Sequence, residues 1–502
     1  MKRRVFTGAA LGLAGGMVVS GRAGVSGWMT EAVAQEPAAG ALVRKPLVLG
    51  MVLEPPALDP TAGAAAAIAE VVLYNVFETL VHVGPKGALS PLLAERWSGS
   101  EDGLTWTFHL RPGVKFQNGK PCDAAAVKFS FERAGRADSV NKDRAFFAAM
   151  SSVDVKDAQT VVIRLARPDA DFLFMLGQAT AVIVEPSSAA GNGAQPVGTG
   201  PYRLGSWRRG TSLTLQAWPE FRDAASVSFP QVTFRFISEP AAQMAALMAN
   251  EVDVFPRVTE RAVARLKANP AWQVVVSGSR AKTLVAINHR RKVLADVRVR
   301  RAIAAAIDRQ AVLKAGQLGH GTPIGSHYTP DAPGYVDMTA VNAHDPERAR
   351  ALLKEAGVKL PLSLSLTVPP PPYARQAAQV VMAQLAKVGI QWLEGTYRNH
   401  DYDLSIISHV EPLDLGNFTK PDYYWGYRSP RFDALYRQLV TAVNEKERLD
   451  LLAQVQKLLA EDCVLAWLYQ PHWVSVARKS LAGLWDDMPM LVNDLRSMRW
   501  VS

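Results

Sequence analysis

Apolar and polar positions along this chain recur with two periods, and the switches between them predict the elements. Residues 48–52 read as a first strand, after which Glu54-Pro-Pro-Ala-Leu58-Asp-Pro60 breaks regular structure. Residues 65–80 read as a helix, because Ile68, Val72, Val76 and Leu80 fall on one face. Residues 105–110 alternate as a strand, Arg111-Pro-Gly113 turns, and Gln117-Asn-Gly119 is a hairpin signal. Asp123 is placed to cap a helix continuing to Arg133. Residues 153–166 repeat the strand pattern until Pro168 closes it. At 198–201 two glycines flank a threonine and a proline follows, which predicts a tight turn. Leu213, Leu215 and Ala217 then alternate with Thr214 and Gln216, a strand with one face buried.

The pattern continues with a strand over 232–237, a helix over 241–250 and strand character over 274–287, broken at Gly278. A helix from Val297 buries Ile303, Ala306, Ile307 and Leu313, with its basic residues facing out and Asp308-Arg309 forming a local ion pair. Asp345 caps a helix running to Gly357, the prolines at 369–372 make a loop, and 373–389 is helical. Residues 432–460 read as one helix with Leu435, Leu439, Val443, Leu451, Leu452, Val455 and Leu459 as core positions, and 464–468 as a strand. Strands interleaved with helices in this way define an α/β class.

Length changes this picture, since 502 residues exceed what one hydrophobic core organises, so two or more domains are expected. The first residues do too. Basic Lys2, Arg3 and Arg4, an apolar run over 7–19 and Ala32-Val33-Ala34 are read as an export signal over 1–34. Arg3-Arg4-Val5-Phe6 is similar to a twin-arginine signal, and an ordinary secretory signal is the other reading. Losing that segment removes four basic residues and one acidic residue, which lowers the formal charge of +10 by three. The remaining excess is spread out, its densest groups are Arg290-Arg291-Lys292 and Arg298-Val-Arg300-Arg301, and no nucleic-acid motif accompanies it. Cys122 and Cys463 are far apart in sequence, and an oxidising compartment leaves both a disulfide and two buried thiols open.

No catalytic constellation is present: no nucleophile elbow, no His-Glu-x-x-His, no Cys-x-x-Cys and no phosphate loop. His289, His320, His327 and His409 are scattered, and no metal site or cofactor is expected from them. The positive signal is aromatic and acidic, running from His409 through Glu411 and Asp414 to Phe418 and on through Tyr423-Tyr-Trp425 to Tyr427.

Three separated blocks carry a resemblance. They are "LSPLLAERWSGSEDGLTWTFHLRPGVKFQNGKP" at 89–121, "GTGPYRLGSWRRGTSLTLQAW" at 198–218 and "LVAINHRRKVLADVRVRRAIAAAIDRQAVL" at 284–313, with "YNVFETLV" at 74–81 and "DPERARALLKEAG" at 345–357 in support. In this order they resemble the family-5 extracellular solute-binding proteins of ABC transporters, the peptide, nickel and opine group that includes dipeptide- and oligopeptide-binding proteins. The resemblance implies a two-lobed periplasmic binding protein of type II, the large cluster C form, with an extra subdomain in the first lobe. Lobe I would take residues 35–278 with the subdomain at about 76–185, lobe II residues 279–470, and 471–502 would return to lobe I. After Trp392 the chain departs from the family pattern, with few residues before the Asp401-Tyr-Asp403 strand.

Also implied is a binding role rather than an enzyme. The protein would be a periplasmic monomer that captures a small solute between its lobes and hands it to a permease and ATPase, with no nucleic-acid partner. A short peptide is the first choice of ligand; an opine, a metal chelate or a small glycan is the alternative, with a secreted hydrolase or a sensor-coupled receptor as rivals. The residues the resemblance points to are Glu54, Leu58 and Tyr74 after the first strand, and Thr199, Gly200 and Tyr202 on the signature turn with backbone groups toward ligand. His409, Glu411 and Asp414 would close from the second lobe, an acidic group pairing with a ligand amine. The plainer reading of that last stretch is a loop cap with aromatics packed between helices.

Overall fold

The computed structural model describes residues 44–258, 263–369, 372–394 and 402–501, all in the compact unit Leu42–Ser502. The expected export signal and Asp401 lie outside the described residues. Two large mixed sheets and one smaller antiparallel sheet organise the chain. The first large sheet runs Trp272–Ser277, Trp473–Arg478, Val254–Phe255, Leu47–Met51, Gln231–Phe236, Ser212–Ala217, Tyr202–Arg208. Leu47–Met51 is parallel to both its neighbours, with Leu49 opposite Phe234 and Val254. The second runs Gly321–Pro323, Ala466–Pro471, Lys282–Ile287, Leu404–His409, Leu362–Thr367, Ile390–Glu394. A four-stranded antiparallel sheet, Ala94–Gly99, Thr105–Leu110, Thr160–Leu165, Met150–Asp157, forms the extra subdomain beside the first sheet. The backbone leaves the first sheet at Ser277 for Lys282 of the second, and returns from Pro471 to Trp473 across His472 alone. The result is a two-lobed α/β fold.

The strand Lys282–Ile287 shows why the second sheet forms where it does. Every one of its residues is buried, and from Leu284 to Ile287 it is a continuous apolar run rather than an alternation. Val285 and Ile287 pack with Ile303, Ala377 and Leu404 on one face, while Leu284 and Ala286 pack with Phe418, Trp425 and Leu459 on the other.

Several expected helices are shorter than their periodicity suggests, each interrupted at a polar side chain. The helix expected over 65–80 is Ala66–Val72. Asn75 Nδ2 donates to Val71 O at 3.0 Å, taking the carbonyl that the next helical turn would use, and Tyr74 adopts φ +62°. The helix from Val297 splits into Val297–Ala306 and Arg309–Gln317, because Asp308 accepts from Gln310 N and Ala311 N and starts a second helix. Asp308 is therefore a cap and not the ion-pair partner of Arg309, which donates instead to Trp467 O, Thr339 O and Asn342 O. The helix expected over 432–460 is Pro430–Thr441 and Glu445–Glu461, with Asn444 accepting from Glu447 N between them. Val443 falls in that break and is exposed rather than core. The strand over 153–166 is a hairpin, Met150–Asp157 against Thr160–Leu165.

The basic residues of Val297–Ala306 do not all face water. Arg300 is buried and donates to Cys463 O, Asp462 O, Leu294 O and Ala295 O, and Arg301 donates to Glu461 O. Two guanidinium groups thus close the carbonyl end of helix Glu445–Glu461, where the helix dipole favours cations. Cys122 and Cys463 are free and buried, each in a separate core. Among the described residues no helix is long and apolar enough to cross a membrane.

Candidate functional site

The signature turn is built for close approach. A Cβ on Gly198 would stand 1.9 Å from Val76 O, and one on Gly200 2.5 Å from Asn75 O. Glycine is needed there because two stretches of backbone touch, not for a left-handed φ. Gly200 N donates to Val76 O at 2.9 Å, Tyr202 N to Asn75 O at 2.9 Å, and Gln117 Nε2 to Gly200 O and Tyr202 O at 3.1 and 2.7 Å. Backbone groups expected to face ligand are thus consumed inside the first lobe, with Thr199 and Tyr202 almost fully buried.

The same holds for the other first-lobe residues singled out from sequence. Tyr74 turns into the core, where its hydroxyl donates to Gly177 O at 2.7 Å and accepts from Val83 N at 3.0 Å. Glu54 accepts from Trp207 Nε1 and Gly210 N at 2.9 and 2.8 Å, pinning the hairpin after the signature turn. Leu58 is fully buried and its N–H donates to Gly193 O.

In the second lobe His409 and Asp414 do come together, with Glu411 beside them. Asp414 is buried and holds three cationic or imidazole groups: Lys282 Nζ at 2.7 Å from Oδ1, His327 Nε2 at 2.8 Å from Oδ1 and His409 Nδ1 at 2.7 Å from Oδ2. Burial alone would raise the Asp414 carboxyl, but the Lys282 ammonium and His327 hold it well below the usual carboxylate range. Burial pushes the His327 imidazole down to about 4 despite that carboxylate. His409, Glu411 and Asp414 carry ligand atoms within 4.8 Å of one another. The Lys282 ammonium, which also donates to Glu411 O at 2.6 Å, already gives the Asp414 carboxylate a cationic partner. Around this cluster Phe418 stacks on Trp425 at 4.5 Å and His409 packs on Trp425 at 5.5 Å. The His289 ring does not join Asp414: its Nε2 lies 2.8 Å from Val464 O, while its backbone N–H donates to Trp425 O, and the His320 carbonyl accepts from His472 N.

The space able to hold a solute is a cavity of about 710 Å³, within the ~300–1,000 Å³ of small-molecule sites. One wall comes from the four-stranded subdomain and the loop after it, including Glu101, Trp106, Asp169, Asp171 and Phe174. The opposite wall comes from the second lobe, including Tyr328, Pro333, Leu413, Glu445, Arg448 and Leu452. Arg280, in the crossing between the sheets, completes it. The two walls meet along one side, where Ala170 N donates to Val440 O at 3.0 Å and Arg448 pairs with Asp171. None of the nine residues singled out from sequence lines this space; the 409–414 stretch reaches it through Pro412 and Leu413. Asp169, Asp171, Arg280 and Arg448 carried no motif in the sequence, and only the break after Pro168 marked their neighbourhood as a loop.

A cavity walled by two lobes joined by crossing strands defines a class: proteins that enclose a solute between lobes. The solved structure of the oligopeptide-binding protein AppA from Bacillus subtilis, in complex with a nonapeptide, has this fold. It superposes with a TM-score of 0.80 at 20% identity, covering 91% of this chain and 99% of that one. Residues 88–394 match the middle region of the bacterial extracellular solute-binding proteins, family 5. The glutathione-binding protein GsiB of Salmonella paratyphi A is 30% identical over 357 residues, 70% of this chain and 69% of its own. Di/tripeptide-binding protein 4 of Pseudomonas aeruginosa is 33% identical over 500 residues, 89% of this chain and 93% of its own. The chain belongs to the family-5 solute-binding proteins of ABC importers, and its role is binding rather than catalysis.

Proposed function

We propose that this protein captures a short peptide in the 710 Å³ cavity and presents it to an ABC permease at the inner membrane. The observation that carries this reading is a cavity lined from both lobes, with carboxylates and guanidinium groups on its walls. Peptide termini are the charges such walls match. Sequence relatives that bind glutathione and di- or tripeptides support the choice of ligand class.

Ligand touching both walls favours the closed arrangement by its differential affinity for it, and a permease then distinguishes loaded from empty protein. The lobes are taken to divide near 278 and 471, where the chain crosses between sheets, with the subdomain at about 76–185. Residues 1–34 direct export to the periplasm by the twin-arginine or the general route, and the mature protein acts as a monomer. The cavity carboxylates Glu101, Asp169 and Glu445 face a ligand amine, with Glu411 exposed beside Pro412 at the margin.

Native mass spectrometry of the protein with an equimolar set of di- to tetrapeptides tests this directly. Capture of peptides at micromolar concentration is expected. Capture of only a metal chelate, an opine or a glycan from a parallel set would overturn the peptide reading.

A further inference from the structure

Arg280 sits in the four-residue crossing between Ser277 and Lys282 and lines the cavity. The residue is 7% exposed, yet its side chain makes no hydrogen bond or ion pair among the described residues, and Nη1 is buried without a partner. A guanidinium does not escape burial by losing its proton, so an unpaired one in a protein interior is costly. The carboxylates in its neighbourhood are engaged elsewhere. Asp331 Oδ2 accepts from Gln470 Nε2 at 2.6 Å, and Asp487 Oδ1 accepts from Gly278 N at 3.1 Å. They give Arg280 long-range attraction without a hydrogen bond to its guanidinium. The other arginine on the cavity wall, Arg448, is already paired with Asp171.

We infer that Arg280 is the anchor for a carboxylate of the captured solute, which makes a free carboxylate a requirement for tight binding. This rests on the cavity being the capture site and deepens that reading. Arg280 lines the cavity, and a guanidinium carries its N–H donors in the planar arrangement a carboxylate accepts. The remaining charged lining favours a monoanion over a phosphate. Glu101, Asp169, Asp171 and Glu445 are opposed only by Lys86, Arg448 and Arg280 itself, so a dianion meets net negative charge. Asp169 and Glu445 belong to the walls and Arg280 to the crossing, so a zwitterion lies with its carboxylate toward the crossing and its amine toward the walls.

The test uses the full mature protein and three matched probe sets: di- to tetrapeptides as free acids, the same peptides as C-terminal amides, and the same peptides phosphorylated on serine with the C-terminus amidated. Affinities are read by calorimetry for wild type, Arg280→Gln and Arg280→Lys, the last keeping the charge if the first disturbs folding. Wild type is expected to bind acids roughly 30-fold or more tightly than amides. Arg280→Gln is expected to lose that preference, and Arg280→Lys to keep part of it. Equal binding of acids and amides by wild type, or an acid preference surviving unchanged in both variants, overturns the inference while leaving peptide capture standing. Tighter binding of the phosphorylated amides overturns it in favour of phosphate. Should no peptide bind, peptide capture fails, and the same comparison is made with opine-type N-carboxyalkyl amino acids against their methyl esters. Loss of the free-acid preference in Arg280→Gln then upholds the carboxylate anchor, and absence of any carboxylate binding overturns it.

Discussion

Replacing Asp414 by Ala separates a structural carboxylate from a ligand-anchoring one. Asp414 is 7% exposed and Lys282 2% exposed, and their 2.7 Å contact is the one ion pair of that ammonium among the described residues. Truncating the aspartate leaves a buried lysine with one carbonyl, Glu411 O, in place of a full charge partner. It also removes the acceptor of His409 Nδ1. Breaking one side of a buried pair costs about 3–5 kcal/mol. Urea unfolding followed by tryptophan fluorescence reads this as a fall in midpoint at unchanged slope. Removing both charges, Lys282→Met with Asp414→Leu, is expected to recover most of the loss, since an apolar pair of similar volume avoids both desolvation penalties. If Asp414→Ala costs under about 1 kcal/mol and instead lowers affinity for a captured peptide by tenfold or more, the aspartate is an anchor and the structural assignment is wrong.

Gly198→Ala is expected to cost roughly 3 kcal/mol, because the new methyl overlaps Val76 O at 1.9 Å; Gly191→Ala, with no atom within 4 Å, serves as the control and is expected to be near neutral in the same unfolding assay. Stability should fall as pH drops from about 6.5 to 4. Burial pushes His289 and His327 down to about 4 in the folded state, so over that window the unfolded chain binds protons that the folded chain refuses. Each contributes roughly 3 kcal/mol that is complete above the unfolded pKa and gone below the folded one, and His289→Gln is expected to flatten the slope of urea midpoint against pH. Arg448→Ala removes a partly exposed pair across the cavity, and peptide release measured by stopped flow should quicken by about fivefold or less.

Periodicity and caps determined most of the local structure. Asp123 and Asp345 cap the helices Ala124–Gly135 and Pro346–Glu355 as their positions suggest. Gly278 marks the interruption between Trp272–Ser277 and Lys282–Ile287. These are short-range facts, carried by one side chain and the few residues beside it. The two-lobed fold and the binding role were legible through whole blocks of wording at 89–121, 198–218 and 284–313 rather than through any single residue.

What only the tertiary structure decided is which face each polar residue meets. Asp414 reads alike in sequence whether it awaits a ligand amine or neutralises Lys282, 132 positions away. Arg300 has the pattern of a solvated helix face until the carbonyl end of Glu445–Glu461 arrives against it. The glycines of the signature turn look like turn formers and prove to be contact points for a distant backbone. The cavity itself has no sequence signature, because its walls come from segments around 101–106, 169–174, 328–333 and 442–449 that meet only when the lobes do. Arg280 gains its significance from having no partner among the described residues, a property of three-dimensional packing that no local pattern encodes.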